Sequence, residues 1–297
     1  MRFDPSWFVD RDPVLVLFNR MLAGDTSERI LCITAEMEHG KTWLLWRMRD
    51  ECKRRSVPVI LLDFDLKRSG MAGDYLGIAR EFRHQLSEAR TPAICECEDA
   101  MFHPAPLVDV RTGAGHGGVD WGKGGRFAHA NVSEVPGRDS IHVNVGDIHA
   151  GSRTPEQEVW QKEEMGRALC RDLARLGRVV LLVDTFECAF TDFPEACTWL
   201  ERWVFRSLCR DLPYALLVVA GRPECRSFFD QPRLWGDLVI HIDRFDPFSR
   251  DEALTYYHRR NLPVDETDTL FLQAACSKAG LMAQLGDAIR QERGGMR

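Results

Sequence analysis

Short stretches with unbroken apolar centres stand at Ile30–Ile33, Pro58–Phe64, Arg178–Asp184, Tyr214–Ala220 and Asp237–His241. They alternate with stretches whose apolar residues recur at helical spacing. Runs without polar alternation read as strands buried on both faces of a parallel sheet, and the stretches between them as covering helices. The spacing predicts helices over 41–55 (Leu44, Leu45, Met48, Cys52), 74–89 (Ile78, Phe82, Leu86), 156–176 and 194–211 (Trp199, Leu200, Trp203, Val204, Leu208). An opening helix carries Val14, Leu15, Leu17, Phe18, Met21 and Leu22 and stops at Gly24-Asp25-Thr26-Ser27. Residues 225–236 read as a short helix and loop. The last part changes rhythm. Ser249-Arg250-Asp251-Glu252 has the form of a capping box, opening a helix over 250–260. Helices near 265–279 and 281–292 follow, separated by Gly280. The chain thus reads as an α/β core over 1–245 and a small helical subdomain over 246–297.

Residues 91–156 break the pattern. Arg111–Gly118 and Gly122–Gly125 are too rich in glycine for a regular core element. His103, His116, His129 and His142 recur at even spacing but match no metal-ligand pattern, and Ile141–Val145 alternates as a short exposed strand would. The segment reads as an insertion, a candidate site for contact with a protein partner or a second copy. Cys95 and Cys97 form Cys-x-Cys with no second pair, a poor zinc signature.

Composition narrows the class. With 297 residues, 44% hydrophobic and 28% charged, the chain is that of a globular protein with a full core. A net charge of −6 argues against a broad nucleic-acid footprint. No apolar run reaches the length of a membrane span and Met1–Pro5 lacks a signal core, so a cytoplasmic location is expected. Most of the ten cysteines, such as Cys32, Cys52, Cys170, Cys209 and Cys276, fall in apolar contexts and read as reduced core residues.

Candidate chemistry starts where the first strand ends. Ala35-Glu36-Met37-Glu38-His39-Gly40-Lys41-Thr42 joins that strand to a helix. It meets the phosphate-cradling template Gly-x-x-x-x-Gly-Lys-Ser/Thr at every fixed position but the first, where Ala35 replaces glycine. Loop N–H groups at the helix start would hold an anion, Lys41 would meet the β/γ-phosphates, and the Thr42 hydroxyl would ligate Mg²⁺. The third strand ends in Asp184, followed by Thr185-Phe186-Glu187. An acid there suits the magnesium shell, and Glu187 could orient or deprotonate a water. Arg222 follows the fourth strand, where a guanidinium can meet a γ-phosphate; the alternative is a surface ion pair with Glu224.

In this order the motifs resemble the STAND class of P-loop NTPases, within the AAA+/NACHT-like ATPases. Phe8-Val9-Asp10-Arg11-Asp12 is similar to that class's Phe-Val-Gly-Arg-Glu box, which lies near the adenine and brings in Val9 and Arg11 as candidate nucleotide contacts. Asp184–Glu187 resembles its Walker B ending, Ala220-Gly221-Arg222-Pro223 its sensor-one arginine, and Phe245–Ser249 the start of its helical lid. The resemblance covers about 1–90 and 156–293. It implies a three-layer sandwich with a five-stranded parallel sheet in the order 5-1-4-3-2, and an ATP/Mg²⁺ site between sheet edge and lid. Thr185 stands where related ATPases often carry a second acid, and Gly280-Leu281-Met282 stands near the place of a Gly-x-Pro. No winged-helix domain or C-terminal sensor array follows, so a minimal or regulatory member is expected.

The leading expectation is an ATP-binding, Mg²⁺-dependent ATPase acting as a slow conformational switch in signalling or defence. Self-association is part of what the resemblance implies. The alternative is a non-hydrolysing nucleotide-binding scaffold that recruits partners through 91–156, favoured by Ala35 and Thr185. A nucleic-acid motor is a third reading, opposed by the acidic balance and by the lack of a basic stripe bearing aromatics.

Overall fold

The computed structural model describes residues 4–9, 11–65, 71, 73–88, 97, 155–264 and 269–294. Most of the 91–156 segment, including its four histidines, Cys95 and the Ile141–Val145 alternation, lies outside the described residues, as does Asp10.

Five strands form one parallel sheet: β1 (Ile30–Thr34), β2 (Val59–Asp63), β3 (Val179–Asp184), β4 (Ala215–Gly221) and β5 (Val239–Ile242). Their order is β2-β3-β4-β1-β5, the order the resemblance implies. Every residue of β1, β3 and β4 is buried, as strands covered on both faces must be. Alternate residues enter opposite cores. Ile30, Cys32, Val179, Leu181, Leu217 and Val219 face one, while Leu31, Ile33, Val180, Leu182, Leu216 and Val218 face the other. The register is continuous across the centre, with Ile30 beside Leu217 and Leu217 beside Leu181. The strand-end residues of β1, β3 and β4 therefore emerge along one rim.

The second core is closed by α1 (Asp12–Ala23) and α2 (Lys41–Arg54), through Val14, Phe18, Leu44, Leu45 and Met48. The basic last turn of α2 is a solvated face: Arg54 and Arg55 pair with Glu51. The first core is closed by α3 (Tyr75–Glu88), α4 (Pro155–Arg175) and the helical run after β3. That run differs from the sequence expectation in two ways. A short helix α5 (Phe186–Thr191) begins directly after β3, too brief to leave a periodic trace. The single helix expected over 194–211 is α6 (Pro194–Trp199), a π-helical stretch Leu200–Phe205, and α7 (Arg206–Arg210). In the π stretch the Trp203 carbonyl accepts from Cys170 Sγ at 3.0 Å, and a Cβ at Gly166 of α4 would lie 2.4 Å from Trp203 Cβ. The wider turn thus carries Trp203 against α4. After β4 come α8 (Arg226–Phe229) and α9 (Pro232–Trp235).

Beyond β5, α10 (Arg250–Arg259), α11 (Thr269–Ser277) and α12 (Ala279–Gly294) share a separate apolar cluster that includes Phe248, Tyr257, Leu272 and Met282. The capping box forms as expected: Ser249 Oγ accepts from Glu252 N–H at 3.2 Å, and Glu252 Oε2 accepts from Ser249 N–H at 2.6 Å. Gly280, expected to end a helix, instead lies in the first turn of α12, for a reason found at the functional site. Among the described residues no helix is long and apolar enough to cross a membrane.

Candidate functional site

The loop between β1 and α2 is fixed at its start by Ala35 N–H, which donates to Gly221 O at 3.2 Å across the sheet. Ala35 is 5% exposed and packs with the core beneath α2, so its methyl group lies away from solvent. Left-handed backbone occurs later, at Glu38 (φ 66°) and Gly40 (φ 84°). The glycine requirement therefore falls at Gly40, while Ala35 is a tolerated core contact. Gly40 is the residue before α2 and leaves that helix without a side-chain cap.

The loop's carbonyls are already engaged by other groups. Lys41 Nζ donates to Ala35 O at 2.5 Å and to Glu36 O at 2.8 Å. His39 Nδ1 lies 2.9 Å from Met37 O and 3.2 Å from Glu36 O; since carbonyls only accept, that nitrogen carries the proton. Glu38 O accepts from Gly280 N–H at 2.9 Å. With the acceptors of 35–38 engaged, the N–H groups of the loop and of the start of α2 are what the site offers a ligand, the complement of an anion.

One flank of the loop is ionic. Asp184 ends β3 at 2% exposure, and its Oδ1 accepts from Thr185 N–H at 3.0 Å. Thr185, left-handed at φ 54°, turns the chain into α5 and sets Glu187 in that helix's first turn. Phe186 is buried against Phe190, Phe228 and Phe229, which ties this turn to the segment after β4. Glu187 Oε1 pairs with Arg222 Nε at 3.3 Å, and its Oε2 accepts from Arg222 N–H at 3.2 Å. The ion-pair partner of Arg222 is thus Glu187. Its Nη2 also contacts Met37 Sδ at 3.1 Å, so Arg222 spans from α5 to the loop. Burial pulls the Lys41 pKa below its ordinary value; Glu187 and then Asp184 act in the opposite direction. Those two carboxylates are therefore near enough to Lys41 to matter electrostatically, although its Nζ bonds to the loop carbonyls.

The other flank is a cavity of about 400 Å³, lined by loop residues Glu38–Thr42 and by aromatic side chains. Trp43 of α2 stands 6.2 Å from Tyr256 of α10, centroid to centroid, and both line it, as do Trp7, Phe8 and Trp46. From α12 come Ala279, Gly280, Met282, Ala283 and Gln284. Val9 and Arg11 line it too. Arg11, at 8% exposure, is packed over the Phe245 and Phe248 rings (4.4 and 4.6 Å) and donates to Asp246 O at 3.0 Å. It thereby clamps the connection between β5 and α10. Trp7 is covered by Arg260 and Arg290, and Phe8 O accepts from Arg259, so the leading segment is gripped by α10 and α12.

The sequence-derived residues thus fall into two groups about the loop. Asp184, Glu187 and Arg222 line its ionic flank; Val9, Arg11 and Glu38–Thr42 line the cavity, and Lys41 belongs to both. Sequence reasoning missed Trp7, Trp43, Trp46, Tyr256 and Gln284. The available signal was Trp43 and Trp46, large apolar residues just off the Leu44/Leu45/Met48 face of α2.

No protein-family profile matches the chain, and no curated protein matches it. Solved structures do. The Walker-type ATPase of Pyrococcus abyssi is similar over 95% of this chain and 68% of its own, with a TM-score of 0.51 and 13% identity. Cdc6p from Pyrobaculum aerophilum is similar over 98% of this chain and 67% of its own (TM-score 0.49, 11% identity). The Aeropyrum pernix ORC1 protein, solved in complex with DNA, is similar over 96% of this chain and 61% of its own (TM-score 0.48, 15% identity). At such identity a likeness is one of fold alone, and that to the Walker-type ATPase, with the sheet order, makes this chain a P-loop NTPase-type α/β fold.

Proposed function

We propose that this protein binds ATP with Mg²⁺ and hydrolyses it slowly, using the nucleotide as a conformational switch. The observation that carries the reading is one loop, Ala35–Thr42, with Lys41 inside it, flanked by the Asp184/Glu187/Arg222 carboxylate–guanidinium group and by an aromatic cavity. The base and ribose would occupy the cavity, stacked among Trp43, Tyr256 and Trp7. The phosphates would take the backbone N–H groups of 36–42, and Lys41 Nζ would exchange its loop carbonyls for phosphate oxygens. Thr42 and Asp184 suit a magnesium ion, which is typically held by one or two protein oxygens together with the nucleotide's own. When bound, the ion would offset the phosphate charge.

The protein's own residues supply the rest. Glu187 would accept a proton from a water aligned on the γ-phosphorus, as the bond to the β-phosphate oxygen breaks. Arg222 is held by Glu187 and by a thioether. A γ-phosphate is a stronger acceptor than sulfur and would draw the guanidinium over, leaving Glu187 to the water. That exchange would couple arrival of the γ-phosphate to release of Glu187, as a nucleotide switch requires.

We place the chain in the STAND class, divided into a core over 1–245 and a lid over 246–297, acting in cytoplasmic signalling or defence with a protein partner or a second copy. A non-hydrolysing scaffold is the second reading, favoured by Glu187 being tied to Arg222 through both side chain and backbone. Phosphate release under ATP/Mg²⁺, compared between wild type and Glu187→Gln, separates them. Turnover lost in the variant supports the ATPase; equal background release in both supports the scaffold.

A further inference from the structure

The loop meets α12 at a contact with an unusual demand. Gly280, in the first turn of that helix, donates its N–H to Glu38 O at 2.9 Å. A Cβ at position 280 would stand 2.7 Å from Glu38 Cβ and 2.9 Å from its Cγ, closer than real Cβ atoms come. Beside it, a Cβ at Gly40 would stand 3.1 Å from Ala279 Cβ. Gly280 is not in a left-handed conformation, so backbone freedom is not its use there. Alanine is the better helix former, so propensity is not its use either. What glycine provides is close approach of two backbones. On the loop side, Glu38 holds a left-handed φ of 66°, a costly conformation for a residue with a side chain.

The bond acts on one peptide plane. The Glu38 carbonyl and the His39 N–H belong to the same rigid trans unit and point opposite ways. Fixing the carbonyl toward α12 fixes that N–H away from it. We propose that the Glu38–Gly280 contact is a latch through which phosphate occupancy of the loop is read by the last helix, with Gly280 a positioning residue for the loop. This rests on the nucleotide reading above. Phosphate accepting from the His39 N–H and Gly280 holding the Glu38 carbonyl select the same orientation of the plane, so each reinforces the other. By linkage, nucleotide tightens the docking of α12 as much as docked α12 tightens nucleotide binding.

The test is a suppression experiment on the full chain. Gly280→Ala forces the helix off the loop and weakens ATP/Mg²⁺ binding by about tenfold. Glu38→Gly removes the Cβ and Cγ in the way but keeps the carbonyl, so the double variant recovers to within about threefold of wild type. Gly286→Ala, in the same helix, crowds Arg260 instead (a Cβ would stand 3.2 Å from its Cζ), and Glu38→Gly does not rescue it. Amide exchange over 279–286 without nucleotide follows the same order: slow in wild type, fast in Gly280→Ala, slow again in the double variant. Unchanged ATP binding in Gly280→Ala, or a loss that Glu38→Gly fails to repair, overturns the latch. A wild type that binds no ATP overturns the nucleotide reading and the phosphate readout with it. The exchange arm still reports the contact itself, which distinguishes that failure from a missing latch.

Discussion

The two flanks of the 35–42 loop are built differently. The ionic flank takes few residues, all at or just past strand ends: Asp184 closes β3, Glu187 lies three residues on in the first turn of α5, and Arg222 follows β4 directly, so the parallel register delivers them to one rim. The aromatic flank takes residues from the leading segment, from α2 and from two helices near the end of the chain, gathered by tertiary packing alone. One flank is organised by the sheet, the other by how α10 and α12 settle against it. On the proposed ATPase reading, chemistry should be lost on the first while binding persists, and affinity lost on the second while the chemistry stays intact.

Variants on the two flanks should separate these properties. The largest effect is expected for Glu187→Gln, whose amide can still accept from Arg222 N–H but cannot take a proton. Turnover should fall by about 10²–10⁴-fold, with ATP affinity kept within a few-fold in the same preparation. Lys41→Ala should weaken ATP binding by about 10–100-fold, the worth of one charge-assisted contact, as measured by titration calorimetry. Trp43→Leu acts only on the aromatic flank and should cost about 5–100-fold in ATP affinity while leaving the affinity for inorganic triphosphate unchanged. If triphosphate binding falls equally, the flanks are not separable. The smallest effect is expected for Ala35→Gly. If the methyl group is a core contact, removing it should not improve binding and should cost about 0.5–1 kcal/mol of stability by chemical denaturation.

A pH effect concerns the sheet and its helices rather than either flank. Burial raises the thiol pKa of Cys32, Cys52, Cys197 and Cys209 from 9.0 to about 12. A group whose pKa is raised by folding stabilises fully below its unfolded value and loses that contribution as pH climbs toward the folded one. The melting temperature should hold up to about pH 8.5 and decline from there toward pH 12. A Cys52→Ala variant should show a shallower decline.

Much of the fold was legible in the sequence because parallel strands buried on both faces leave unbroken apolar runs. β1, β3 and β4 are buried throughout and β2 nearly so, while the edge strand β5 is half-buried and carries His241; the ends of all five differ from expectation only by a residue or two. The positions of Asp184 and Arg222 were legible for the same reason, since a strand end locates its residue, and that of Glu187 from its place three residues past Asp184. Three features were not. Gly280 reads from sequence as a helix stop, and only its approach to Glu38 explains it. The π turn at Leu200–Phe205 depends on a contact with α4 that periodicity does not encode. The cavity joins Trp7, Trp43 and Tyr256 across most of the chain, and each alone reads as ordinary core.

The central claim is that both flanks serve one ligand through Lys41. Tryptophan fluorescence during ATP/Mg²⁺ titration tests it most directly, with Trp43→Phe used to assign the cavity signal. The account predicts a saturable change that depends on Trp43, is competed by inorganic triphosphate and is lost in Lys41→Ala. A saturable change that persists in Lys41→Ala and resists triphosphate would show that the cavity and the loop do not share a ligand, and would contradict the account.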